Sequence, residues 1–195
     1  HAVADYGIVD AERFHSDQDR KTGTETRFLV FGSLDSEWKG ADTAINAFLK
    51  LPEEVRNSSS LHLAGYSKAV PSSVSDRIIN YSWISKEEIP AFLRTFDVLL
   101  VPSRDTDQMK ETFSQTTVQG MLSGLPIITS DIPVLVEKTQ KGCGFVFKSE
   151  DDLVKYMVTL HRDPELRQQM GVKARDVALE HYVWDTSKFE AKYLK

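Results

Sequence analysis

The chain has 195 residues, of which 41% are hydrophobic and 27% are charged, and it carries a formal net charge of −5. This length suits one domain or one lobe of a larger protein, and the composition is that of a globular chain that can bury a core. Its basic residues are scattered, which excludes the basic stripe of a nucleic-acid-binding protein. No apolar run approaches the roughly 20 residues that a membrane span requires, and we expect no signal peptide from the first residues.

The cysteine and the histidines argue against metal and thiol chemistry. Cys143 is the single cysteine, so an internal disulfide is excluded and a reducing, cytoplasmic compartment is expected. We interpret Cys143 as a small turn or strand-entry residue between two glycines. No serine has the setting of a hydrolase nucleophile, and we expect no metal because metal-ligand spacing is lacking in His1, His15, His62, His161 and His181.

Short apolar runs alternate with segments of helical spacing over most of the chain. Residues 1–25 are polar and without a period, which predicts a linker or arm, ordered only where something packs on it, ahead of a domain over residues 26–195. Strands are predicted at residues 27–32, 61–65, 78–82, 97–102, 126–129 and 144–147.

Helices are predicted between these strands and after the last one. The predicted helices are residues 44–51 ended by Pro52, 91–96 after a capping box at Ser85–Glu88, 116–123, 153–160 capped by Ser149, one that begins at Asp163–Pro164, and an amphipathic stretch at 184–193. The alternation predicts the α/β class, with a doubly wound, Rossmann-like parallel sheet. Ligands of such sheets bind beyond the carboxyl ends of the strands, which selects the loops at residues 32–40, 65–68, 81–85 and 103–119.

The loop after the first predicted strand runs from Gly32 to Gly40 and contains Lys39. A glycine after a strand lets backbone amides approach a phosphate closely, and a lysine adds a mobile cation. The spacing is neither that of a P-loop nor that of a dinucleotide-binding fingerprint. A plain strand-to-helix turn with a solvated lysine is an equally good interpretation of these residues alone.

The segment from Glu111 to Ser130 carries a more specific pattern, Glu-Thr-Phe-Ser-Gln-Thr-Thr-Val-Gln-Gly-Met-Leu-Ser-Gly-Leu-Pro-Ile-Ile-Thr-Ser. It resembles the hallmark of group 1 (family 4) retaining glycosyltransferases with the GT-B fold. Their pattern is a glutamate, seven residues, a second glutamate, a small residue, a methionine, a glycine and a proline before an apolar strand. The residues that fall in register without a gap are Glu111, Phe113, Gln119, Met121, Gly124, Pro126 and Ile128.

The resemblance covers nearly all of the chain, but it is a resemblance to the second half of a family enzyme. Residues 7–14 look like the family's entry into its C-terminal domain, residues 31–40 like its first phosphate loop, and residues 97–103 like the strand before the hallmark. It implies one lobe of a GT-B enzyme, the donor-binding domain. The N-terminal acceptor domain would then be a missing partner, and contact of the intact enzyme with a membrane stays open.

The resemblance also implies roles for individual residues. Glu111 would accept hydrogen bonds from hydroxyls of the donor sugar, and Lys39 would neutralise the diphosphate as it leaves. Gln119 would face the ribose, and main-chain groups near Trp83 and Ile84 would read a base, with UDP- or GDP-linked sugars as expected donors. The remaining expected donor-binding residues are Gly32, Ser33, Ser114, Gln115 and Thr116, the last three at a helix start whose amides would face the diphosphate.

Two residues depart from the family pattern. The usual arginine of the first loop is Ser33, and the second glutamate is Gln119, an amide that can still accept one hydroxyl proton. We predict that the lost positive charge is supplied from a rim loop by Lys110, Arg104 or Lys68.

Simpler interpretations stay open for the singled-out residues. Glu111 is compatible with a carboxylate at a helix start, Gln119 with a surface or capping amide, and Trp38 and Trp83 with packing residues, which we favour over base-stacking platforms. The rival function is a degenerate, non-catalytic lobe that binds nucleotide or docks a partner, and a nucleotide-sugar epimerase is a third possibility. The sequence leaves the base, the sugar and the acceptor unspecified.

Overall fold

The computed structural model describes residues 11–16, 25–66, 68, 76–107, 109–184 and 190. In these residues a parallel sheet of six strands has helices on both faces. The strands are β1 (Thr26–Phe31), β2 (Ser59–Ala64), β3 (Ile78–Tyr81), β4 (Val98–Val101), β5 (Ile127–Ser130) and β6 (Gly144–Phe147). The helices are α1 (Ala41–Leu49), α2 (Glu53–Asn57), α3 (Ile89–Leu93), α4 (Gln115–Leu122), α5 (Pro133–Thr139), α6 (Glu150–Arg162) and α7 (Pro164–His181), with 3₁₀ turns at Ala11–Arg13 and Glu37–Lys39.

The strand order is β3-β2-β1-β4-β5-β6, and every neighbouring pair is parallel. This order confirms the doubly wound, Rossmann-like α/β prediction. The chain moves outward in one direction from β1 to β3 and then returns to place β4 on the other side of β1. A crevice opens where the order reverses, at the carboxyl ends of β1 and β4.

Successive side chains of each central strand alternate between two cores, one on each face of the sheet. Phe28 and Val30 of β1 pack with residues of α1, α2 and α6, whereas Leu29 packs with residues of α3, α4, α5 and α7. A strand buried on both faces therefore reads as a continuous apolar run, and this is why these strands are visible in the sequence.

The helix ends agree with the capping predictions at two sites and differ at a third. The Ser149 hydroxyl accepts the Asp152 amide while the Asp152 carboxylate accepts the Ser149 amide, and Asp163 caps α7 ahead of Pro164. The predicted box at Ser85 is only half formed. The Glu88 carboxylate accepts the Ser85 amide, but the Ser85 hydroxyl donates to that carboxylate and α3 begins at Ile89, so Ser85 is not the N-cap.

Two helices were not foreseen from the sequence. The five-residue α2 follows Pro52, and α5 begins at Pro133 and has only seven residues, so each is too short for a helical period to show. The final amphipathic stretch at 184–193 lies, beyond Trp184, almost wholly outside the described residues.

Part of the predicted arm packs onto the domain. Ala11 and Phe14 are 5% and 4% exposed and belong to the core that contains α4 and α7, and an Arg175 guanidinium N–H donates to the Phe14 carbonyl at 2.8 Å. In the described part of the chain, no helix combines the length and the apolarity needed to cross a membrane.

A buried histidine links β2 to β3. The His62 ring nitrogens lie 2.9 Å from the Ser60 hydroxyl and 3.2 Å from the Tyr81 hydroxyl, and Phe96 packs edge-on at 4.9 Å between ring centroids. Burial, helped by the charge of Arg27, lowers the pKa of His62 to about 4. The ring is therefore neutral in the folded chain near neutral pH.

We predict acid destabilisation through His62. The unfolded chain takes up a proton below the ordinary pKa of 6.5 while the folded chain resists protonation until about 4. Stability is consequently lost as the pH falls through this window, by roughly 2–3 kcal/mol from this residue. Urea unfolding at pH 4–7 measures it. His62→Gln should flatten the dependence and His181→Gln should not; equal slopes in His62→Gln and the parent would contradict the prediction.

Candidate active site

The candidate site lies in the crevice between the loops that follow β1 and β4. Residues 32–40 leave the carboxyl end of β1, and residues 102–114 leave the carboxyl end of β4. Neighbouring parallel strands whose crossovers depart in opposite directions leave room between these loops, which is where α/β proteins bind ligands. The two loops carry the Lys39 and Glu111 side chains that the sequence singled out.

The two loops are joined by close backbone contact. The Trp38 carbonyl accepts a hydrogen bond from the Arg104 amide at 2.7 Å. Gly40 has a left-handed φ of 69°, and a Cβ there would lie 2.0 Å from the Pro102 carbonyl oxygen. Only glycine meets both conditions, so this residue sets the separation of the loops and the position of Lys39 beside the second one.

Lys39 and Glu111 form a largely buried ion pair at the centre of the crevice. Lys39 Nζ lies 2.9 Å from Glu111 Oε2, and the two side chains are 15% and 8% exposed. The Ser103 hydroxyl reaches the same oxygen at 3.5 Å, and the Lys39 ammonium also lies 4.0 Å from the Trp38 ring centroid. The interpretation of Lys39 as a solvated lysine in a plain turn is therefore wrong.

Helix α4 begins beside both loops. Its N-cap, Ser114, has a left-handed φ of 58°, and the Ser114 hydroxyl lies 2.7 Å from the Thr117 hydroxyl. The Thr117 and Val118 amides donate to the Ser114 carbonyl, whereas the Gln115 and Thr116 amides have no acceptor among the described residues. A Cβ on Gly32 would lie 3.5 Å from the Thr116 side chain, so the free end of α4 adjoins the first loop.

Glu111 is not a helix-start carboxylate. It lies before the Ser114 cap, outside the first turn of α4, and its carboxylate is committed to Lys39. Gln119, one turn after Gln115, is 8% exposed, which excludes the surface-amide interpretation. The structure thus brings Lys39, Glu111 and the α4 start together.

Other predicted residues lie at the same sheet edge but farther from the ion pair. Trp83 and Ile84 follow β3, which is separated from β1 by β2. Trp83 is 79% exposed, so our preferred interpretation of it as a packing residue is wrong, whereas Ile84 packs against the core. Ser33 is exposed in the first loop.

The rim cations differ in what they contact. An Arg104 guanidinium nitrogen lies 2.7 Å from an Asp42 carboxylate oxygen, and Arg104 also donates to Thr43. Lys68 and Arg104 both line a cleft of about 340 Å³ beside the first loop, and Lys110 is exposed. Across the described part of the chain, no three His, Cys, Asp or Glu side chains group as a metal site would require.

A buried cation beside Phe113, a residue of the loop that carries Glu111, was missed in the sequence. Lys138 of α5 is 1% exposed, and its Nζ lies 5.0 Å from the Phe113 ring centroid and 4.6 Å from that of Tyr182. Burial lowers the pKa of the Lys138 ammonium, and the charges of Glu137 and Glu111 oppose that shift. No local sequence pattern predicts that this lysine is buried, because α5 is too short to show a helical period.

The profile of one protein family, glycosyl transferases group 1, matches residues 12–177 of the chain. The MMP alpha-(1->4)-mannosyltransferase of Mycolicibacterium hassiacum is 26% identical in an alignment 192 residues long that covers 91% of this chain and 44% of that protein. The chain thus spans less than half the length of this curated relative.

Two solved structures show the same fold. HepE of Anabaena, in complex with UDP-glucose, superposes with a TM-score of 0.76 at 17% identity, over 96% of this chain and 55% of that one. The C-terminal domain of the group 1 family protein LpcC of Francisella tularensis has a TM-score of 0.72 at 19% identity and covers 91% of this chain and 100% of that one. The second structure is an isolated C-terminal domain, and the match covers its whole length.

We predict that Gly40→Ala destabilises the chain more than Gly142→Ala does. Both glycines have a left-handed φ, of 69° and 80°, but a Cβ at Gly142 would meet its nearest atom only at 3.9 Å, against 2.0 Å at Gly40. Backbone strain alone should cost about 1 kcal/mol at Gly142, and the clash with Pro102 should raise the cost to roughly 3 kcal/mol at Gly40. Urea unfolding of both variants measures this; equal losses would show that the loops do not touch as described.

Proposed function

Because the chain belongs to the group 1 glycosyl transferases, we propose that it is the donor-binding domain of a retaining glycosyltransferase. The crevice at the ends of β1 and β4 would hold a nucleotide diphosphate sugar, and the parent enzyme would transfer the sugar to a hydroxyl acceptor on a polysaccharide, glycolipid or glycoprotein. The Lys39–Glu111 ion pair beside the free start of α4 is the observation that carries this proposal.

These groups match the two chemical needs of a diphosphate sugar. A diphosphate requires a cation and hydrogen-bond donors, which Lys39 and the Gln115 and Thr116 amides, without an acceptor among the described residues, would supply. Sugar hydroxyls require an acceptor, which the Glu111 carboxylate supplies. When the donor binds, the Lys39 ammonium would exchange its contact with Glu111 for one with the diphosphate. The Glu111 carboxylate would then be available to accept hydrogen bonds from the sugar hydroxyls.

Catalysis in this proposal is chiefly electrostatic. Negative charge grows on the diphosphate as the bond to the anomeric carbon breaks, and Lys39 with the α4 amides would stabilise that charge without a bound metal. Low exposure of the pair strengthens the interaction, since little water screens it. We assign Glu111 to positioning the sugar rather than to attack on the anomeric carbon.

The nucleoside would extend from the diphosphate along the sheet edge toward the loop after β3. In this proposal Gln119 would meet the ribose, and main-chain groups at Trp83 and Ile84 would meet the base. The exposed Trp83 ring adds a flat surface on which a base stacks. HepE holds UDP-glucose on the same fold, which supports a UDP-linked donor. A GDP-linked donor is the alternative that we propose to test beside it.

In this proposal a second, N-terminal domain would bind the acceptor. The match to 44% of the mannosyltransferase and to an isolated C-terminal domain supports a missing N-terminal half that closes over the donor. The isolated chain should then bind donor and transfer little or none of it. We place the enzyme in the cytoplasm, in keeping with the free thiol of Cys143, and leave membrane contact to the N-terminal half.

A degenerate docking lobe is the second candidate function. Ser33 replaces a family arginine, and Arg104, one of the cations expected to compensate, is engaged by Asp42 and Thr43. A site with less positive charge would hold a diphosphate weakly. The following titration separates the two candidates.

We predict that one of UDP, GDP and ADP binds the chain with micromolar-to-millimolar affinity in a calorimetric titration. Lys39→Met should weaken that binding roughly tenfold because it removes a charge-assisted contact to the diphosphate. Lys50→Met is the matched control, since Lys50 pairs with Glu150 on the surface, 57% exposed. No binding of any nucleotide, or equal binding by Lys39→Met and the parent, would favour the docking lobe.

Glu111→Gln should act in a different direction from Lys39→Met. Without the carboxylate, the Lys39 ammonium is released toward the diphosphate, so affinity for the free nucleotide should stay equal or rise. The additional affinity for the nucleotide sugar should fall roughly three- to tenfold, because a charged acceptor for the sugar hydroxyls is lost. The ratio of the two dissociation constants reports this, and an unchanged ratio would remove Glu111 from the sugar site.

A further inference from the structure

Lys138 occupies a buried site that the proposed reaction does not use. Its ammonium donates to the Val134 carbonyl at 3.2 Å and lies against both the Phe113 and the Tyr182 ring. These two rings meet edge to face at 6.4 Å between centroids, and the Tyr182 hydroxyl donates to Glu137 at 3.1 Å. The lysine is thus enclosed by two aromatic side chains and one carbonyl.

Burying a charged ammonium in this place costs folding free energy, so a lysine here calls for an explanation. Among the described residues no carboxylate comes within ion-pair distance of Lys138. Desolvation penalises the charge, and what opposes it is attraction to the two ring faces and to the more distant Glu111 and Glu137 carboxylates. A buried apolar side chain of the same length would avoid the penalty, so fold stability alone does not explain a lysine here.

The position of Phe113 supplies the reason. Phe113 is two residues after Glu111 and directly before Ser114, the left-handed N-cap of α4. The Glu111–Ser114 segment lies outside the helices and strands of the described residues. The Lys138 ammonium, 5.0 Å from the centroid of the Phe113 ring, attracts the segment to α5.

We propose that Lys138 is a positioning residue that holds the Glu111–Ser114 segment in its donor-binding geometry through the Phe113 ring. This role rests on the proposed function, because Glu111 is taken to contact the donor sugar. Two lysines then act on one carboxylate. Lys39 contacts it directly, and Lys138 holds the backbone on which it is carried.

The test compares Lys138→Met with Lys155→Met in the full chain. Lys155 is exposed on α6 and lies 5.8 Å from the Tyr156 ring centroid, so it loses the same kind of contact far from the crevice. Methionine keeps the length and apolar character of the lysine stem but removes the charge. The thermal midpoint of Lys138→Met should be unchanged or higher, because an unpaired buried charge is gone.

The first readout is amide hydrogen exchange over residues 111–118, where the Thr117 and Val118 amides bond to the Ser114 carbonyl. Lys138→Met should raise exchange in this segment roughly three- to tenfold, with the sheet unchanged. Phe113→Leu should raise exchange in the same segment. The double variant Lys138→Met/Phe113→Leu should raise it little beyond either single variant. Unchanged exchange at 111–118, or an equal rise through the whole chain, would overturn the positioning role.

The second readout is the affinity for UDP against UDP-glucose, or GDP against GDP-mannose if the guanine nucleotide binds. Lys138→Met should reduce the ratio of the affinity for the sugar nucleotide to that for the free nucleotide roughly three- to tenfold. The affinity for the free nucleotide should stay within about twofold of the parent value. Equal ratios in Lys138→Met and the parent would overturn the role. Failure of the parent to bind any nucleotide would instead refute the proposed function, and the exchange experiment would still decide the role of Lys138 in holding the segment.

Discussion

The reversal of strand order between β1 and β4 is the constraint on which the rest of this structure depends. Both strands are central and parallel, and their side chains alternate between two cores, so neither the sheet nor its register can shift without exposing apolar surface. The crossovers that follow them leave in opposite directions. A polar crevice is therefore fixed at one edge of an otherwise apolar sheet.

The crevice keeps its dimensions because the loops around it are in backbone contact. Gly40 lies against the Pro102 carbonyl, and a Cβ on Gly65 would lie 2.0 Å from the Gly32 carbonyl oxygen, so the loops after β1, β2 and β4 support one another. Small residues here serve close approach of backbones rather than flexibility. Such a rim can hold a lysine and a glutamate at a fixed separation before any ligand arrives.

Two lysines and a serine hydroxyl act on Glu111 or on the segment that carries it. Lys39 contacts the carboxylate in the crevice, Ser103 lies beside it, and Lys138 lies against Phe113 of the segment that carries it. Each cation is shielded from water, so a small number of charges has a large effect. A site that lacks the family's arginine at Ser33 depends all the more on where its remaining cations are held.

Sequence periodicity was sufficient for the elements that bury a continuous or regularly spaced apolar surface. The six strands were located to within a few residues, and Ser149 and Asp163 marked helix starts because their side chains act on amides three residues away. The same reasoning missed α2 and α5, which are too short to show a period. It also misjudged Ser85, whose hydroxyl donates to Glu88 instead of accepting from the helix.

The sequence by itself determined the fold class, the family and the identity of Lys39 and Glu111 as candidate site residues, because strand patterning and motif spacing are local properties. Only the tertiary structure decided that these two side chains, 72 positions apart, meet at 2.9 Å, that Trp83 is exposed, and that Lys138 packs against the Phe113 ring. These facts depend on strand order and on loop packing. Both bring together residues whose separation along the chain carries no sign of their contact.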